Sequence, residues 1–476
     1  MSSLYDGLEQ LAEGNIYPFH MPGHKRNMPG HKLETAYRMD ITEIADFDNL
    51  HYPKGLIKQA QDKAARLWGA KESFFLVNGS TAGILTALSA AFSKKSEIIL
   101  ARNCHKAAYH GVLLKELKTH YLYPELIDEG FLYGSVSGKQ VQALYEKYPE
   151  TKGVFLTSPN YDGVVSPIEE ISEIVHEYGG ILIVDEAHGA HLGFSEEFPE
   201  SAVTKGADLV IQSLHKTLPS FTQTAILHLC SDRVDRNKIQ NYLGIYQTSS
   251  PSYLFMSTME QCVEMVEREK NQLFPRLSEY IEEFLEDTEG LKHLKILDEQ
   301  FAKERGIYRF DKSKLIISTY HTNISGKELA DRLLSTYHLE MEMACEHYVL
   351  ALTSICDKKE GFKRLALALL EIDKGLKENH DKSALNGLDI FWSREESIPM
   401  SISQAEELEK ETICFNQSEN RISGEFLYLY PPGVPLIVPG EYITKEMIMQ
   451  IASYKKQGLS IQGIKDNTTI CIEVIK

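Results

Sequence analysis

Long apolar runs, a basic excess and closely paired cysteines are all missing from this sequence. No stretch reaches the roughly 18 consecutive apolar residues that a membrane span needs, and the N-terminus lacks the basic-then-apolar layout of a signal peptide. With 50 basic and 68 acidic residues, the net charge of −18 argues against a nucleic-acid or anionic-membrane surface. The 7 cysteines include no Cys-x-x-Cys pair, so we expect reduced thiols in a cytoplasmic protein with no nucleic-acid or membrane partner.

Apolar segments of helical and strand-like spacing alternate from about residue 55. The predicted helices are 57–68, 80–92, 105–117 and 168–178. The predicted strands are 73–77, 97–101, 153–157, 181–184, 208–212 and 224–228. Continuous apolar strands separated by helices indicate an α/β fold, with a mostly parallel sheet sandwiched by helices.

The pattern changes beyond about residue 260 to long charged helices and mixed segments. We predict an N-terminal arm at 1–50, a large domain at 51–290, and smaller α+β domains at 291–380 and 381–476. A polar stretch at 378–386 is typical of a linker. The prolines of 430–440 exclude a helix or a central strand there and favour a rigid extended segment.

A glycine and two hydroxyls lie where the first predicted strand turns into a helix, at Gly79, Ser80 and Thr81. Backbone N–H groups and the helix dipole at such a turn would face an anion, most plausibly a phosphate. The simpler alternative is that Ser80 or Thr81 only caps the helix.

A carboxylate and a lysine follow two later strands. Asp185 ends a buried strand, where a carboxylate needs a partner such as a protonated ring nitrogen. Lys216 follows the next strand, and consecutive strands of this kind usually lie side by side, so we expect both side chains at one crevice. A lysine there could form a Schiff base. An anion cradle, a carboxylate for a ring nitrogen and a Schiff-base lysine together match the demands of pyridoxal phosphate. His105 could stack on that cofactor or be only a polar residue at a helix start.

Eight motifs carry a resemblance to a known family: residues 19–25, 40–44, 78–81, 102–106, 184–189, 213–216, 247–251 and 430–435. Through them the sequence resembles the bacterial ornithine/lysine/arginine decarboxylases, which are fold-type-I pyridoxal-phosphate enzymes with the aspartate-aminotransferase fold. The resemblance covers nearly the whole chain and is to the shorter branch, which has no N-terminal wing domain.

The resemblance implies a role for each site residue. Lys216 would carry the Schiff base, Asp185 would pair with the ring nitrogen, and His105 would stack on the ring. The remaining cofactor contacts would be His188 near the ring, and Ser80, Thr81, Ser213 and His215 around the phosphate. Thr248 and Ser249 resemble a segment that reaches the partner's phosphate, so the resemblance implies a homodimer or larger assembly. Our hypothesis for the reaction is that Lys216, or a nearby histidine such as His215, returns a proton to the substrate after carbon dioxide leaves.

Other classes of protein remain to be weighed. The run Asp185-Glu-Ala-His188 also spells a helicase box, but the nearest candidate for a nucleotide-binding loop, 134–140, is a residue short and lacks the hydroxyl. His188 and His191 could bind a metal, but no third ligand at suitable spacing is evident, and we predict no metal. An aminotransferase, a lyase or an inert regulatory homologue on the same fold stays open.

The substrate is predicted to be a basic L-amino acid, with arginine favoured over lysine or ornithine. Asp46, Asp48 and Glu441 are candidate acceptors for its distal cation, although each is more simply a structural or solvated carboxylate. The pentapeptide Met-Pro-Gly-His-Lys occurs twice, ending at Lys25 and at Lys32. The first copy belongs to the resemblance, and its turn could present His24 or Lys25 to a substrate or a partner subunit. The second copy is interpreted as a local duplication.

Overall fold

The computed structural model describes residues 3–14, 16–30, 32–127, 132–379, 398–430, 433–456, 458–463 and 471–476. In these ranges no helix is both long enough and apolar enough to cross a membrane. The helices, in chain order, are α1 Leu4–Glu13, α2 Glu34–Met39, α3 Leu56–Trp68, α4 Gly79–Ala91, α5 Lys106–Lys115, α6 Gly138–Lys147, α7 Ile168–Glu177, α8 Leu214–Thr217, α9 Arg236–Tyr246, α10 Tyr253–Asp287, α11 Glu299–Glu304, α12 Gly326–Tyr337, α13 Lys359–Asp373, α14 Ile402–Glu407 and α15 Lys445–Lys456.

The strands, in the same order, are β1 Glu72–Leu76, β2 Glu97–Ala101, β3 Lys118–Leu122, β4 Leu126–Ile127, β5 Leu132–Tyr133, β6 Gly153–Thr157, β7 Val164–Val165, β8 Ile181–Asp185, β9 Leu209–Ser213, β10 Ala225–Leu229, β11 Lys295–Leu297, β12 Arg309–Phe310, β13 Lys314–Ser318, β14 Met343–Ala344, β15 Tyr348–Leu352, β16 Lys410–Cys414, β17 Leu427–Leu429, β18 Pro435–Ile437, β19 Ile461–Gln462 and β20 Cys471–Ile475. The chain divides into two compact units, Met1–Ala91 with Ile181–Pro275, and Phe92–Gly180 with Arg276–Lys476.

Helix α3 shows how local sequence sets these elements. Ile57, Ala60, Ala64 and Trp68 are buried at helical spacing, so one face of the helix is apolar. The helix ends at Gly69, which has φ +79° and donates its backbone N–H to a carbonyl of the last turn. Glycine adopts this left-handed conformation without a steric penalty, and the helix therefore stops there.

In its described residues, the first unit has four strands in the order β1-β10-β9-β8. Strands β8 and β9 pair in parallel, with Asp185 opposite Ile211. Strand β10 is antiparallel to both of its neighbours. The residues of β9 and β10 are buried throughout, as the continuous apolar sequence of these strands predicts.

The second unit contains the parallel strands β6-β2-β3 and several antiparallel sheets. One of them has the order β11-β13-β15-β14. The C-terminal module, residues 398–476, pairs β16 with β20 and has a sheet in the order β18-β17-β19. A core that includes Leu427, Ile437, Ile472 and Val474 holds this module together.

The prediction of an α/β fold with a mostly parallel sheet is confirmed, and each predicted helix and strand in 57–228 is present within a few residues. Among the strands β1, β10, β9 and β8, the exception to the parallel pattern is β10. The segment between Ser213 and Ala225 is shorter than the dozen or more residues that a parallel crossover needs, so the chain turns back.

The proline-rich segment is extended where it is described. Pro435 begins β18, an edge strand, which is where a sheet tolerates proline. Pro431 and Pro432 lie outside the described residues, as do residues 380–386 of the predicted linker. The four domain boundaries stay a prediction.

Candidate active site

Asp185 and Lys216 follow two neighbouring strands of the first unit. Asp185 is the last residue of β8, and Lys216 lies in the short helix α8 that directly follows β9. Because β8 and β9 are parallel, both strands end at the same edge of the sheet. The two side chains therefore lie at one edge, as the sequence predicts.

The Asp185 carboxylate is buried, with 2% of its surface exposed. Its Oδ1 atom accepts a hydrogen bond of 3.1 Å from the backbone N–H of Ala187. Burial raises the pKa of Asp185, while the positive charge of Lys216 and the Ala187 hydrogen bond lower it, and the net pKa lies above its usual value. A further cationic group in the site would stabilise the ionised form of this carboxylate.

Lys216 contacts His188, the fourth residue of the Asp-Glu-Ala-His run. The Nζ atom of Lys216 lies 3.0 Å from Nε2 of His188, which is itself buried. One of these nitrogens donates and the other accepts, so a proton can pass between them. The contact places an acid–base group beside the amine that the sequence singles out.

The start of α4 forms a polar cradle. Gly79 has φ +71° and begins the helix. The Ser80 hydroxyl lies 2.7 Å from the hydroxyl of Ser213, the last residue of β9, while Thr81 is exposed. A Cβ atom at Gly83 would lie 2.7 Å from a Leu76 methyl carbon, so the glycine lets the helix start pack closely on the strands.

His215 directly precedes Lys216 and bonds to the backbone. Its Nδ1 atom donates to the Thr224 carbonyl oxygen at 2.8 Å. Burial lowers the pKa of His215 and the charge of Lys216 lowers it further, while the Thr224 hydrogen bond opposes both effects. The net shift is downward, so His215 is neutral at pH 7 and suits a proton acceptor better than a proton donor.

Thr248 and Ser249 are exposed beside the cradle of their own chain. The Thr248 N–H donates to Oδ1 of Asn78 at 3.1 Å, and Asn78 precedes Gly79. The Thr248 carbonyl oxygen contacts Nε2 of His51 at 2.9 Å. The role of both residues toward a partner's phosphate stays a prediction.

His105 belongs to the second unit and caps α5. Its Nδ1 atom accepts a hydrogen bond of 3.2 Å from the Ala107 N–H. A Cβ atom added to Gly433 would lie 3.1 Å from Cδ2 and Nε2 of the His105 ring. His105 is thus a polar residue at a helix start. Because its ring is still available for stacking, its role toward the cofactor stays a prediction.

Two of the three candidate acceptors for a substrate cation have structural partners. Asp48 accepts backbone hydrogen bonds from Lys54, Gly55 and Lys58. Glu441 is completely buried, and its Oε2 atom lies 3.1 Å from Nη2 of Arg102. These contacts match the simpler interpretation of a structural carboxylate, and the role of either residue toward a substrate stays a prediction. Asp46 is exposed and stays a candidate.

The first Met-Pro-Gly-His-Lys copy is held within the N-terminal arm. His24 Nε2 lies 3.1 Å from Oδ2 of Asp40, and its Nδ1 atom accepts the Arg26 N–H at 3.0 Å. The Lys25 ammonium donates to the His20 carbonyl oxygen at 2.6 Å. This copy is a hydrogen-bonded turn. His31 of the second copy lies outside the described residues.

Sequence reasoning missed a buried network behind Asp185. Glu186 accepts hydrogen bonds of 2.6 Å from both Ser201 and Gln212, and one of 2.8 Å from the Ala202 N–H. Burial raises the pKa of Glu186 to about 7, although these hydrogen bonds lower it. Gln212 directly precedes Ser213 of the cradle, so the network braces the strand that leads to Lys216. No spacing in the sequence signals it.

This geometry defines a class of protein. Lysine decarboxylase A from Pseudomonas aeruginosa has the same fold, with a TM-score of 0.84 at 20% identity, covering 100% of this chain and 80% of that one. This likeness confirms the predicted fold-type-I architecture, in which helices sandwich a mostly parallel sheet.

The chain belongs to the Orn/Lys/Arg decarboxylase family. The model of that family's major domain matches residues 2–316, and the model of its C-terminal domain matches 398–464. The arginine decarboxylase of Bacillus subtilis is 31% identical, over 99% of this chain and 97% of that protein. The arginine decarboxylase of Bacillus anthracis is 29% identical, with the same coverage. The prediction of an amino-acid decarboxylase of this family is thereby confirmed.

Proposed function

We propose that this protein is a pyridoxal-phosphate-dependent decarboxylase that converts L-arginine to its amine and carbon dioxide. Within the family, the full-length similarity to arginine decarboxylases of Bacillus favours arginine over lysine and ornithine. The observation that carries the chemistry is the Lys216 amine, 3.0 Å from His188, at the strand edge where the buried Asp185 also lies.

The residues of the first unit fit the cofactor. The cradle supplies two adjoining hydroxyls, those of Ser80 and Ser213, at the start of a 13-residue helix, which suits a phosphate. The buried Asp185, whose pKa is raised, suits a protonated ring nitrogen. Lys216 offers the amine for the aldehyde. Gly79, Thr81, His188 and His215 would complete the contacts, with His105 against the ring as the resemblance implies.

Each side chain would then have a defined task. The cofactor, when bound, supplies a sink for the electron pair left at the α carbon as the bond to the carboxylate carbon breaks. Asp185 would hold the proton on the ring nitrogen. Lys216 would deliver a proton to the α carbon, and His188 would exchange that proton with Lys216. His215, neutral because of its lowered pKa, would accept rather than donate a proton at the start of the cycle.

The substrate is identified by incubating the purified, cofactor-bound protein separately with arginine, lysine and ornithine. The amine formed in each reaction is identified by mass spectrometry. We expect the amine of arginine and carbon dioxide in equal amounts. Formation of an α-keto acid instead would favour an aminotransferase, and no product from any of the three would overturn the proposal. Cofactor binding without turnover would favour an inert homologue.

The lysine assignment is tested by borohydride reduction of the cofactor-bound protein, followed by peptide mass spectrometry. We expect the reduced adduct on Lys216 and none in Lys216→Ala. Lys238→Ala, at an exposed lysine of the same unit, should keep both the adduct and the activity. An adduct on any other lysine would show that the assignment is wrong.

The active form is proposed to be a cytoplasmic homodimer or larger assembly, with Thr248 and Ser249 near the partner's cofactor. Both residues are exposed at the cradle of their own chain, which suits a position at a subunit boundary. Sedimentation of the cofactor-bound protein should give at least twice the mass of 54.0 kDa. A fully active monomer would exclude shared sites.

A further inference from the structure

The loop after β2 and the proline-rich segment of the C-terminal module are in contact within the second unit. The backbone N–H of Lys106 donates to the Gly433 carbonyl oxygen at 3.0 Å. The Arg102 guanidinium donates to the carbonyl oxygens of Pro435 at 2.7 Å and Leu436 at 3.3 Å. Backbone and side chain of the loop therefore both bind the same segment.

A buried ion pair anchors this contact. Arg102 and Glu441 are both fully buried and lie 3.1 Å apart, and Oε2 of Glu441 also accepts the Val438 N–H at 3.1 Å. Burial by itself lowers the pKa of Arg102, but the Glu441 carboxylate raises it above its usual value. The ion pair and these hydrogen bonds form an anchor that links the loop after β2 to residues 435–441.

Gly433 lies against the His105 ring at the end of this anchored segment. A Cβ atom there would lie 3.1 Å from two ring atoms, which is closer than ordinary van der Waals contact. Gly433 also has φ +85°, which favours glycine for a separate reason. The Lys106 ammonium extends the contact, since it donates to the Tyr428 hydroxyl at 3.0 Å and lies 4.3 Å from the centre of that ring.

We propose that Gly433 is a positioning residue for His105, through which the C-terminal module sets the place of the ring that meets the cofactor. The inference rests on the proposed function, in which His105 stacks on pyridoxal phosphate. Nδ1 of His105 is already used by the α5 cap, which fixes one side of the ring. The position that a Cβ atom of residue 433 would take borders the atoms Cδ2 and Nε2 on the other side.

The consequence of a methyl group at Gly433 follows from this geometry. At 3.1 Å the ring must move by a few tenths of an ångström or the segment must withdraw. Stacking between aromatic rings depends on their offset and is worth about 0.5–1.5 kcal/mol, which corresponds to roughly 2- to 13-fold in a dissociation constant. A displaced His105 should therefore weaken cofactor binding several-fold without removing any group from the cofactor site.

The test compares Gly433→Ala with a matched control, Gly458→Ala. Gly458 lies in the same module and has φ +76°, but a Cβ atom there has nothing within 4 Å. Both variants place alanine at a positive φ, of +85° and +76°, but only the first brings a methyl group against the ring. We measure the dissociation constant of pyridoxal phosphate and the visible circular dichroism of the bound cofactor. We expect several-fold weaker binding and a changed dichroism band in Gly433→Ala, and values near the wild type in Gly458→Ala.

A double-mutant comparison separates positioning from general damage. In a His105→Ala background, Gly433→Ala should cause no further loss of cofactor affinity, because the ring it displaces is absent. If Gly433→Ala does not fold, Tyr428→Phe replaces it. That variant removes the hydroxyl that Lys106 contacts, and its effect should likewise disappear in the His105→Ala background.

The experiment distinguishes failure of the positioning role of Gly433 from failure of the proposed decarboxylase function. If the wild-type protein binds the cofactor and forms the amine, but Gly433→Ala and Gly458→Ala bind the cofactor alike, the positioning role is overturned. The same conclusion holds if the loss in Gly433→Ala or Tyr428→Phe persists without the His105 ring. If the wild-type protein binds no cofactor, it is the proposed function that fails.

Discussion

The Lys216 ammonium and the His188 ring meet at 3.0 Å, although 28 residues separate them in the sequence. His188 lies just after β8 and Lys216 just after β9, so the contact exists because these strands are parallel neighbours. His188 is buried, with 6% of its surface exposed. The contact therefore joins a partly buried amine to a buried ring, an arrangement that would suit the exchange of a proton between them.

Replacing His188 should slow the chemical step and leave the cofactor linkage intact. His188→Ala and His188→Gln should lower kcat by about 10²-fold or more, the range for a lost acid–base group. Borohydride trapping should still label Lys216. As a control, His293→Gln changes a histidine of the second unit and should leave kcat near the wild-type value. Wild-type turnover in both His188 variants would contradict a proton-exchange role.

Asp185→Asn should abolish turnover but stabilise the protein without its cofactor. The pKa of Asp185 is raised in the folded state, so folding favours the protonated carboxyl. That contribution to stability is fully present below about pH 4, the unfolded pKa, and is lost as pH rises through the folded pKa. Asparagine carries no charge to bury, so we expect a free energy of unfolding higher by about 1 kcal/mol at pH 7, with a smaller difference near pH 4.

Denaturant unfolding of the cofactor-free protein measures this difference, and Asp208→Asn is the matched control. Asp208 is also completely buried, but its two oxygens accept hydrogen bonds from the Leu182 N–H and the Ser231 hydroxyl. Its replacement should destabilise the protein, because a carboxylate oxygen with a donor is lost. Equal destabilisation by both variants would show that Asp185 is already satisfied.

The sequence predicts the elements well because the signals for them are local. Apolar spacing locates β8, β9 and α4, and the rule that parallel strands end at one edge brings Asp185 and Lys216 together. The direction of β10 is not given by its own residues. It depends on the length of the connection from β9, which a strand pattern by itself does not reveal.

The contacts that the sequence does not reveal are long-range. Arg102 and Glu441 lie 339 residues apart, and each by itself has the pattern of an ordinary surface charge. The Gly433 contact with His105 is equally hidden, because a proline-rich stretch predicts an extended segment and says nothing of a ring beside it. Spacing cannot predict such pairs, since they depend on how whole modules fold.

The network of Glu186 and Gln212 gives a further prediction. Every described contact to the Glu186 oxygens comes from a hydrogen-bond donor. In Glu186→Gln an NH₂ group replaces one of these accepting oxygens and would face a donor. We expect a loss of about 1–3 kcal/mol in the free energy of unfolding. Exchanging the two side chains, as Glu186→Gln with Gln212→Glu, restores a carboxylate–amide pair and should recover part of the loss.

The pH dependence of the Glu186 variant follows from the direction of the shift. Since the pKa of Glu186 is raised to about 7, its contribution to stability is present below about pH 4.3, the unfolded pKa, and declines as pH rises through about 7. The difference in the free energy of unfolding between the wild type and Glu186→Gln should therefore become smaller as the pH rises from about 4.3 to about 7. Unfolding measured at several pH values checks this, and a constant difference would argue that Glu186 does not titrate there.

Removing one partner of the buried Arg102–Glu441 pair should be costly, whereas removing a surface pair should not. Glu441→Gln leaves a buried guanidinium without its counter-charge, and we expect about 3–5 kcal/mol lower stability. Asp331→Asn breaks the exposed pair with Lys327, where side-chain exposures are 60% and 40%, and should change stability by less than about 1 kcal/mol. Methionine at both 102 and 441 should recover part of the buried loss.

The same variants decide whether Glu441 binds the substrate's distal cation. Because its carboxylate already contacts Arg102 and the Val438 N–H, Glu441→Gln should leave the ratio of turnover rates with arginine and lysine unchanged while stability falls. A substrate acceptor would behave in the opposite way, since losing it would change that ratio and leave the fold intact. Unfolding by denaturant and competition between the two amino acids, measured on one preparation, separate these outcomes.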